Sequence, residues 1–341
     1  MRTVLCRLTA VVLLAIAAAS HAPAEDLVVL TSGNRMTGTV RHLARGQLNF
    51  SIDGVGRVDI DWHNVETLRS VQRLDIELAS GERLTGSIAA TSPGKIEVTG
   101  AAGPKMIDLN DVVRINPIEA TFRERTTGSV DLGLDLLTAN DEIDWTFNIA
   151  AENRTKNYLT EASLSSLVRR HNDATAQQRN RFEIGSRRFL ANRWFALGLF
   201  EAEEDRELDL DLRVLVGAAM GRTLIQSNQT LFAVYGGLDV AHEEFRGVSE
   251  SDDEVVEALA AVEWDWFELG SDGDTALLVK ATTYVAPDDG RVRFNLDGSL
   301  RHDIASDYYL SLNVYESYNS DPPAGLEKSD LGVAITFGRS F

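Results

Sequence analysis

Charged side chains recur at alternate positions in several extended segments of the chain, as in Asp209-x-Asp211-x-Arg213. A period of two places such residues on one face of a β-strand. In a closed barrel that face is the lumen, where charged groups either line a narrow aqueous pore or pair across it and close it. The candidate lumen residues are Asp209, Asp211, Arg213, Glu257, Glu263, Asp265, Arg291, Arg293, Asp297 and Arg301. Because the chain has 52 Asp and Glu against 33 Lys and Arg, an open pore would prefer cations.

Catalytic chemistry finds little support in the sequence. A Ser-His-Asn constellation would indicate a lipid hydrolase, but no histidine lies beside the Ser227-Asn228 pair. The acidic runs Glu201–Asp205 and Glu250–Glu254 carry the oxygen ligands that Ca²⁺ and Mg²⁺ prefer, yet neither has the spacing of an EF-hand loop. The sequence therefore predicts no enzyme, no cofactor and no metal site, and a lipid hydrolase is kept only as a third hypothesis.

The elements that must position these charges are long strands. From about Thr127 onward, apolar and polar residues alternate in about twelve segments of about 10 to 16 residues, longer than the roughly 5 to 6 of soluble strands. The apolar face points to a core in a soluble sandwich and to lipid in a transmembrane barrel. Aromatic residues such as Trp264, Trp266 and Tyr308 gather at segment ends, where aromatic girdles lie. The pattern predicts an all-β chain with an antiparallel transmembrane barrel of about twelve strands over residues 121–341, with ten or fourteen strands as alternatives.

The end of the chain supports the membrane interpretation. Its apolar side chains share one face of the last segment and are Leu331, Val333, Ile335, Phe337 and Phe341. This resembles the C-terminal assembly signal of outer-membrane barrels, so outer-membrane lipid and the barrel-assembly machinery are the expected partners. An even strand count places both barrel ends in the periplasm. Turns after even-numbered segments are then tight and periplasmic, while acidic runs such as Glu201–Glu207 form external loops.

Residues 1–24 read as a secretory signal peptide. Arg2 and Arg7 provide a positive start, an apolar run follows, and Ala22-Pro23-Ala24 offers a cleavage site. The run is shorter than the roughly 20 residues that a spanning helix needs. Cleavage would also remove Cys6, the one cysteine of the chain, so the exported protein is expected to contain no disulfide.

Residues 25–120 contain a duplication at an offset of about 48 residues. Leu30-Thr-Ser-Gly-Asn-Arg-Met-Thr-Gly-Thr-Val40 aligns with Leu78-Ala-Ser-Gly-Glu-Arg-Leu-Thr-Gly-Ser-Ile88. Each copy, 25–71 and 72–120, reads as short strands with glycine turns and resembles small SH3-like or Sm-like barrels. Modules of this kind often bind peptides, glycans or RNA. The formal net charge of −19 argues against a nucleic acid, which leaves a periplasmic partner, peptidoglycan, or a purely structural plug.

A long alternating barrel that ends Gly332-Val-Ala-Ile-Thr-Phe-Gly-Arg-Ser-Phe341, preceded by small β-repeats, resembles the DUF481 family, often labelled salt-induced outer-membrane proteins. The resemblance covers most of residues 125–341. It implies an outer-membrane barrel with no established activity and supplies no functional residues. A structural or stress-related envelope protein with a closed lumen is the first hypothesis, and a narrow cation-preferring channel is the second.

Overall fold

The structure is a computed structural model that describes residues 25–137, 142–171, 174–246, 253–269, 274–288, 290–305, 307–322 and 327–340. The predicted signal peptide and Phe341 lie outside these residues. No helix in the described ranges has the length and apolar character to span a membrane.

The N-terminal domain consists of the first nine strands. They are β1 (Asp26–Leu30), β2 (Arg35–Ala44), β3 (Gln47–Ile52), β4 (Gly56–Asp61), β5 (Val65–Leu78), β6 (Arg83–Ser92), β7 (Lys95–Gly100), β8 (Gly103–Asp108) and β9 (Val112–Pro117). Short 3₁₀ turns at Trp62–Asn64 and Leu109–Asp111 precede β5 and β9. The strands form one sheet in the order β4-β3-β2-β1-β5-β6-β7-β8, and β9 pairs with β2 and β5.

The two sequence copies have the same local structure. Gly38 in β2 and Gly86 in β6 hold equivalent positions, and a Cβ at either would lie 2.1 or 2.2 Å from a backbone oxygen on the neighbouring strand. Only glycine permits this close approach, which explains why both copies have it. The indole Nε1 of Trp62 donates to the carbonyl oxygen of Leu109 at 2.9 Å, so the two equivalent 3₁₀ turns touch. Trp62 is thus a buried core residue.

The copies share a strand and a core. The first half of β5 pairs with β1, while its second half pairs with β6 and β9. The predicted boundary between residues 71 and 72 lies inside this strand. One cluster of buried side chains, including Leu43, Leu68, Leu74 and Ile115, draws on both copies. The repeats therefore fold as one domain, and the resemblance of each to an SH3 or Sm barrel stays a prediction.

The C-terminal domain is a closed antiparallel barrel of twelve strands. They are β10 (Thr126–Leu137), β11 (Glu142–Arg154), β12 (Tyr158–His171), β13 (Ala174–Phe189), β14 (Trp194–Asp205), β15 (Leu210–Gln226), β16 (Thr230–Phe245), β17 (Asp253–Leu269), β18 (Thr275–Val285), β19 (Val292–Ala305), β20 (Tyr308–Asn319) and β21 (Ser329–Ser340). Single 3₁₀ turns lie at Arg123–Arg125 and Ala191–Arg193. The predicted fold class and strand number are confirmed.

The barrel closes where β21 returns to β10. Only four residue pairs join these strands, Ser129–Leu132 with Phe337–Ser340. Other neighbouring strands form longer ladders, of which β17 with β18 has 10 pairs and β15 with β16 has 15. This seam is the least extensively hydrogen-bonded part of the wall.

The outer wall is apolar. On β17, Val256, Val262, Trp264 and Trp266 face outward and are between 37% and 48% exposed. The inward positions of the same strand alternate with these residues and include a fully buried Glu257. An apolar exterior around a charged interior is the reverse of a soluble protein and suits a barrel surrounded by lipid.

Candidate functional site in the barrel lumen

The N-terminal domain covers one mouth of the barrel, which we call the proximal mouth, and the opposite opening is the distal mouth. Contacts from the domain reach the barrel wall at Arg154 and Glu152 on β11, Gln226 on β15 and Asp265 on β17. These positions lie at the strand ends next to the turns after even-numbered barrel strands. The predicted short turn Ser227-Asn228 lies at this rim, where the Asn228 amide donates to the carbonyl oxygen of Val112 at 2.8 Å.

The distal half of the lumen contains an ion-pair network, which we call the distal network. The pairing of β13 with β14 sets Arg181 directly opposite Glu203 and Arg179 opposite Asp205. Glu203 accepts hydrogen bonds from Arg179, Arg181 and Arg213 at 2.9 to 3.0 Å. Three cations from two strands therefore converge on one carboxylate that is only 2% exposed.

The network continues across the barrel. Arg213 on β15 also donates to Glu243 on β16 at 2.7 Å. Glu243 in turn accepts from Arg291 at 2.6 Å, although Arg291 precedes β19, three strands away in the wall. Arg291 and Arg293 both bind Glu257 on β17. These residues are less than 9% exposed, so their charges pair with one another in a part of the lumen that is shielded from water.

Further pairs cross the lumen nearer its middle. Lys280 on β18 donates to Glu183 on β13 at 2.7 Å. Arg187 on β13 donates to Glu263 on β17 at 2.8 Å. Arg181 on β13 also lies 3.8 Å from Asp297 on β19. Each pair joins strands that are not neighbours, so ion pairs also cross the lumen away from the distal mouth.

Some inward carboxylates are nevertheless reached by water. The side chains of Glu161 and Asp297 are 51% and 44% exposed, although alternation places both on the inner face. The lumen therefore holds an aqueous space between the distal network and the proximal mouth. A pocket at the distal mouth, lined by Arg213, Arg293 and Tyr318, measures about 20 Å³, which is room for about one water molecule.

Arg45 enters the proximal mouth from the turn between β2 and β3. Its guanidinium lies 2.7 Å from the Asp265 carboxylate and 5.4 Å from the centre of the Phe267 ring. The Asp265 charge raises the pKa of Arg45 above its usual range. Arg45 has a φ of +52°, a conformation that costs a side chain other than glycine about 1–2 kcal/mol. The strained backbone is held with the arginine pointing into the barrel.

Glu77 is the centre of the contact between the two domains. It accepts hydrogen bonds from Arg154 at 2.7 Å and from Gln226 at 2.8 Å, and Arg83 lies 3.3 Å away. Burial raises the pKa of the Glu77 carboxyl, but the charges of Arg154, Arg114 and Arg83 outweigh burial and leave it below its usual value. The carboxylate is therefore ionised at neutral pH.

The internal repeat serves as a control for these contacts. The position equivalent to Arg45 in the second copy is Pro93, and the position equivalent to Glu77 in the first copy is Val29. Because both copies fold alike without them, neither charge is needed for the fold of a repeat. Arg45 and Glu77 instead make the contacts that attach the domain to the barrel.

The predicted lumen residues do not all lie in the lumen. Arg213, Glu257, Arg291 and Arg293 belong to the distal network, Glu263 and Asp265 face the proximal half, and Asp297 lies between them. Arg301 stacks on the Tyr309 ring at 3.7 Å and pairs with Asp303.

Two predicted positions lie elsewhere. Asp209 is in the turn before β15, and Asp211 is an exposed residue paired with Arg246. The register shifts between Leu210 and Leu212, which interrupts the alternation on which the prediction relied.

Several residues of the site were not predicted as lumen residues. The run Glu201–Glu207, expected to form an external loop, continues β14 as far as Asp205. Glu201, Glu203 and Asp205 are buried there at alternate positions. Their positions, two residues apart, are those of one face of a strand and could have indicated the lumen. The high density of acidic residues favoured a solvated loop instead.

The C-terminal apolar residues lie on the outer wall. Leu331, Val333, Ile335 and Phe337 are between 50% and 68% exposed and face away from the lumen. Phe337 stacks on Tyr308 with ring centres 5.6 Å apart. Their role as an assembly signal stays a prediction.

The proximal rim of the outer wall carries aromatic and cationic residues together. Trp264 and Trp266 stack with ring centres 5.9 Å apart. The guanidiniums of Arg222 and Arg339 lie over the rings of Trp194 and Tyr308 at 5.9 and 5.5 Å. Such pairs belong at the level of lipid headgroups. With its closed ladder, apolar wall and charged lumen, the chain is a transmembrane β-barrel of the outer-membrane type.

The chain belongs to the family described as "Protein of unknown function, DUF481", whose model matches residues 130–341. The predicted family is thereby confirmed. None of the curated proteins compared with the chain matches it significantly.

Solved structures with a similar arrangement are outer-membrane proteins. The translocator domain of the autotransporter NalP from Neisseria meningitidis is 14% identical, with 63% of this chain and 86% of that chain covered and a TM-score of 0.36. The NanC porin is 12% identical over 63% and 98% of the two chains, with a TM-score of 0.37. The outer membrane channel DcaP of Acinetobacter baumannii is 10% identical over 93% and 94%, with a TM-score of 0.31. Similarity at this level carries no information about a ligand.

The folded N-terminal domain is expected to lose stability in mild acid because of His42. Burial and the nearby Arg114 charge lower the pKa of His42 from 6.5. A depressed folded-state value means that His42 stabilises the folded N-terminal domain above pH 6.5 and that this contribution is lost as the pH falls below it. Backbone amides of the N-terminal domain should become less protected from hydrogen exchange between about pH 8 and about pH 5. Replacing His42 by Gln should make this loss of protection smaller.

Hydrogen exchange on the full chain at several pH values measures this effect. His63→Gln, in the exposed 3₁₀ turn, is the matched control. Equal pH dependence in the wild-type protein and the His42 variant would assign the effect to other groups.

Proposed function

We propose that this protein is a closed outer-membrane barrel that anchors its N-terminal β-domain against the periplasmic mouth, with a structural role in the envelope. The observation that carries this proposal is the distal network. The network connects the five consecutive strands β13, β14, β15, β16 and β17 with the start of β19. Two of its ion pairs are Arg213–Glu243 at 2.7 Å and Arg291–Glu243 at 2.6 Å. Breaking buried ion pairs is costly, so ion pairs that cross the lumen oppose a permanent pore.

The same geometry supports a periplasmic position for the N-terminal domain. The domain touches the short turns of the barrel, and in single-chain bacterial barrels the short turns are periplasmic. The chain also enters the barrel from this side, since the 3₁₀ turn Arg123–Arg125 leads directly into β10. A protease added outside intact cells should then leave the N-terminal domain uncut, whereas it should be cleaved once the outer membrane is permeabilised.

Conductance tests the closed state. The full-length protein, refolded into a planar bilayer, should give no discrete current steps at moderate voltage. Folding is verified beforehand by the different electrophoretic migration of boiled and unboiled samples. Regular steps from the folded wild-type protein would contradict the proposal.

A narrow cation-preferring channel is the second candidate function. The observation that favours it is the water-accessible space lined by Glu161 and Asp297 between the two closures. If both closures are released, this acidic space selects cations. The test is the reversal potential of a conducting variant in a salt gradient. A value close to that of a perfectly cation-selective pore would support the channel.

We also propose that the N-terminal domain contacts peptidoglycan or a periplasmic protein through its surface away from the barrel. The β3–β4 turn carries Val55, which is 72% exposed, and β4 and β8 are edge strands with one unpaired side within the described sheet. Co-sedimentation of the full chain with purified peptidoglycan tests the first partner. Val55→Asp should reduce binding, while Met106→Asp on β8 locates the edge that is used.

A further inference from the structure

The carboxyl groups of Asp239 and Glu257 lie together in the wall of the lumen. The two residues are directly opposite each other on β16 and β17, and both side chains face inward. Asp239 is 2% exposed and Glu257 is fully buried. Their carboxyl groups are within hydrogen-bonding reach of each other. Two carboxylates that share a buried site cannot both remain ionised without a positive charge between them.

The partners of Glu257 are known, but Asp239 lacks a donor. Glu257 accepts hydrogen bonds from Arg291 and from Arg293. Within the described part of the chain, no hydrogen-bond donor reaches either oxygen of Asp239. A buried carboxylate without any donor is strongly disfavoured.

The surrounding strands do not supply the missing charge. The charged groups that act on Asp239 are Glu257 on β17, Arg293 on β19 and Glu201 on β14. The same part of the lumen also holds Arg213 on β15, Glu243 on β16 and Tyr284 on β18. The five guanidiniums of the distal network already have five carboxylate partners without Asp239. Gly217, opposite Asp239 on β15, offers no side chain. The strands around Asp239 therefore leave its negative charge without compensation.

We propose that Asp239 and Glu257 form a proton-binding site in which one proton is shared between the two carboxyl groups. A proton suits the site better than a metal ion, because the guanidiniums of Arg291 and Arg293 on Glu257 repel a metal cation. In addition, no group of three or more metal-ligating side chains lies together among the described residues. With the shared proton, the Asp239 carboxyl group donates a hydrogen bond to Glu257. Glu257 still accepts the hydrogen bonds of Arg291 and Arg293.

The site has a consequence for the lumen that rests on the proposed closure. Loss of the proton would place two negative charges side by side and draw Arg293 toward Asp239. Glu257 would then hold Arg291 and Arg293 less firmly, and the distal network would loosen. High pH should therefore destabilise the closure from inside the barrel.

Infrared spectroscopy of the full-length protein in lipid vesicles tests the site directly. The wild-type protein at neutral pH should show the carbonyl band of a protonated carboxylic acid, which disappears at strongly alkaline pH. Asp239→Asn should lack the band, because the amide donates to Glu257 in place of the proton. Asp297→Asn, an inward carboxylate that water reaches, is the matched control and should retain it.

Two outcomes overturn the proposal. The first is a folded wild-type protein with no such band at neutral pH, which would mean that the site holds a metal cation or two charges. Alternatively, the band persists in Asp239→Asn and belongs to another residue. If the variant does not fold, wild-type protein labelled with ¹³C-carboxyl aspartate gives the same answer through an isotope shift of the band. The infrared band does not depend on conductance. A missing band counts against the proton site, whereas current steps from the wild-type protein count against the proposed closure.

Discussion

Replacing Glu203 by Gln is expected to lower the free energy of unfolding of the barrel by about 3 kcal/mol. The change removes the carboxylate on which Arg179, Arg181 and Arg213 converge while keeping the size of the side chain. Breaking a buried ion pair by removing one partner typically costs about 3–5 kcal/mol. We expect the lower end because each arginine keeps a second carboxylate, as Arg213 does with Glu243 at 2.7 Å.

Urea unfolding in detergent micelles, followed by the migration of unboiled samples, measures the loss of stability. Asp211→Asn is the control, since its pair with Arg246 is 45–47% exposed and such surface pairs contribute about 0–1 kcal/mol. Equal midpoints for the two variants would show that the distal network does not hold the barrel. Combined with Glu77→Gln, which releases the proximal mouth, the Glu203 variant should give current steps in a planar bilayer. Silence from the folded double variant would place the closure elsewhere in the lumen.

Replacing Glu77 by Gln is expected to release the N-terminal domain from the barrel. The variant leaves Arg154, which is 7% exposed, without its carboxylate partner at 2.7 Å. A loss of about 3 kcal/mol corresponds to a roughly 100-fold increase in the undocked population. Because the domain has its own core, it should remain folded when it is released.

Limited proteolysis of the segment between Pro117 and Thr126 reports the undocked state. Glu82→Gln lies in the same part of the domain and removes a pair with Lys105 at 2.5 Å that is 45–47% exposed. It should leave the cleavage rate within a few-fold of the wild-type rate. Similar cleavage of the two variants would mean that Glu77 does not anchor the domain.

The two variants separate the closures of the lumen. Glu77→Gln acts on the proximal mouth, where Arg45 reaches Asp265, and Glu203→Gln acts on the distal network. If either closure alone blocks ions, only the combined variant conducts. This arrangement also provides the conducting protein on which the cation preference of the inner space is measured.

Much of the barrel could be predicted from the sequence because its pattern is local. A strand between lipid and lumen must alternate apolar and polar residues whatever its neighbours are, so the twelve segments and the outward face of Leu331, Val333 and Ile335 follow from period two. The repeat was equally local, since Gly38 and Gly86 mark the same close approach of backbones in both copies.

The partners of the charged residues depend on closure of the barrel. Arg291 meets Glu243 across three strands and 48 residues of chain, and no spacing in the sequence encodes that distance. One register shift before Leu212 moved Asp211 out of the lumen. The sequence also does not show that the two repeats form one domain, because this depends on β5 pairing with strands of both copies.

Alternation therefore determined which face of each strand is charged. Only the tertiary structure decided whether these charges meet water or one another. The reason is physical: the period of a strand is set by its own backbone, whereas the stability of a buried charge is set by the groups that the closed barrel brings within about 3 Å of it.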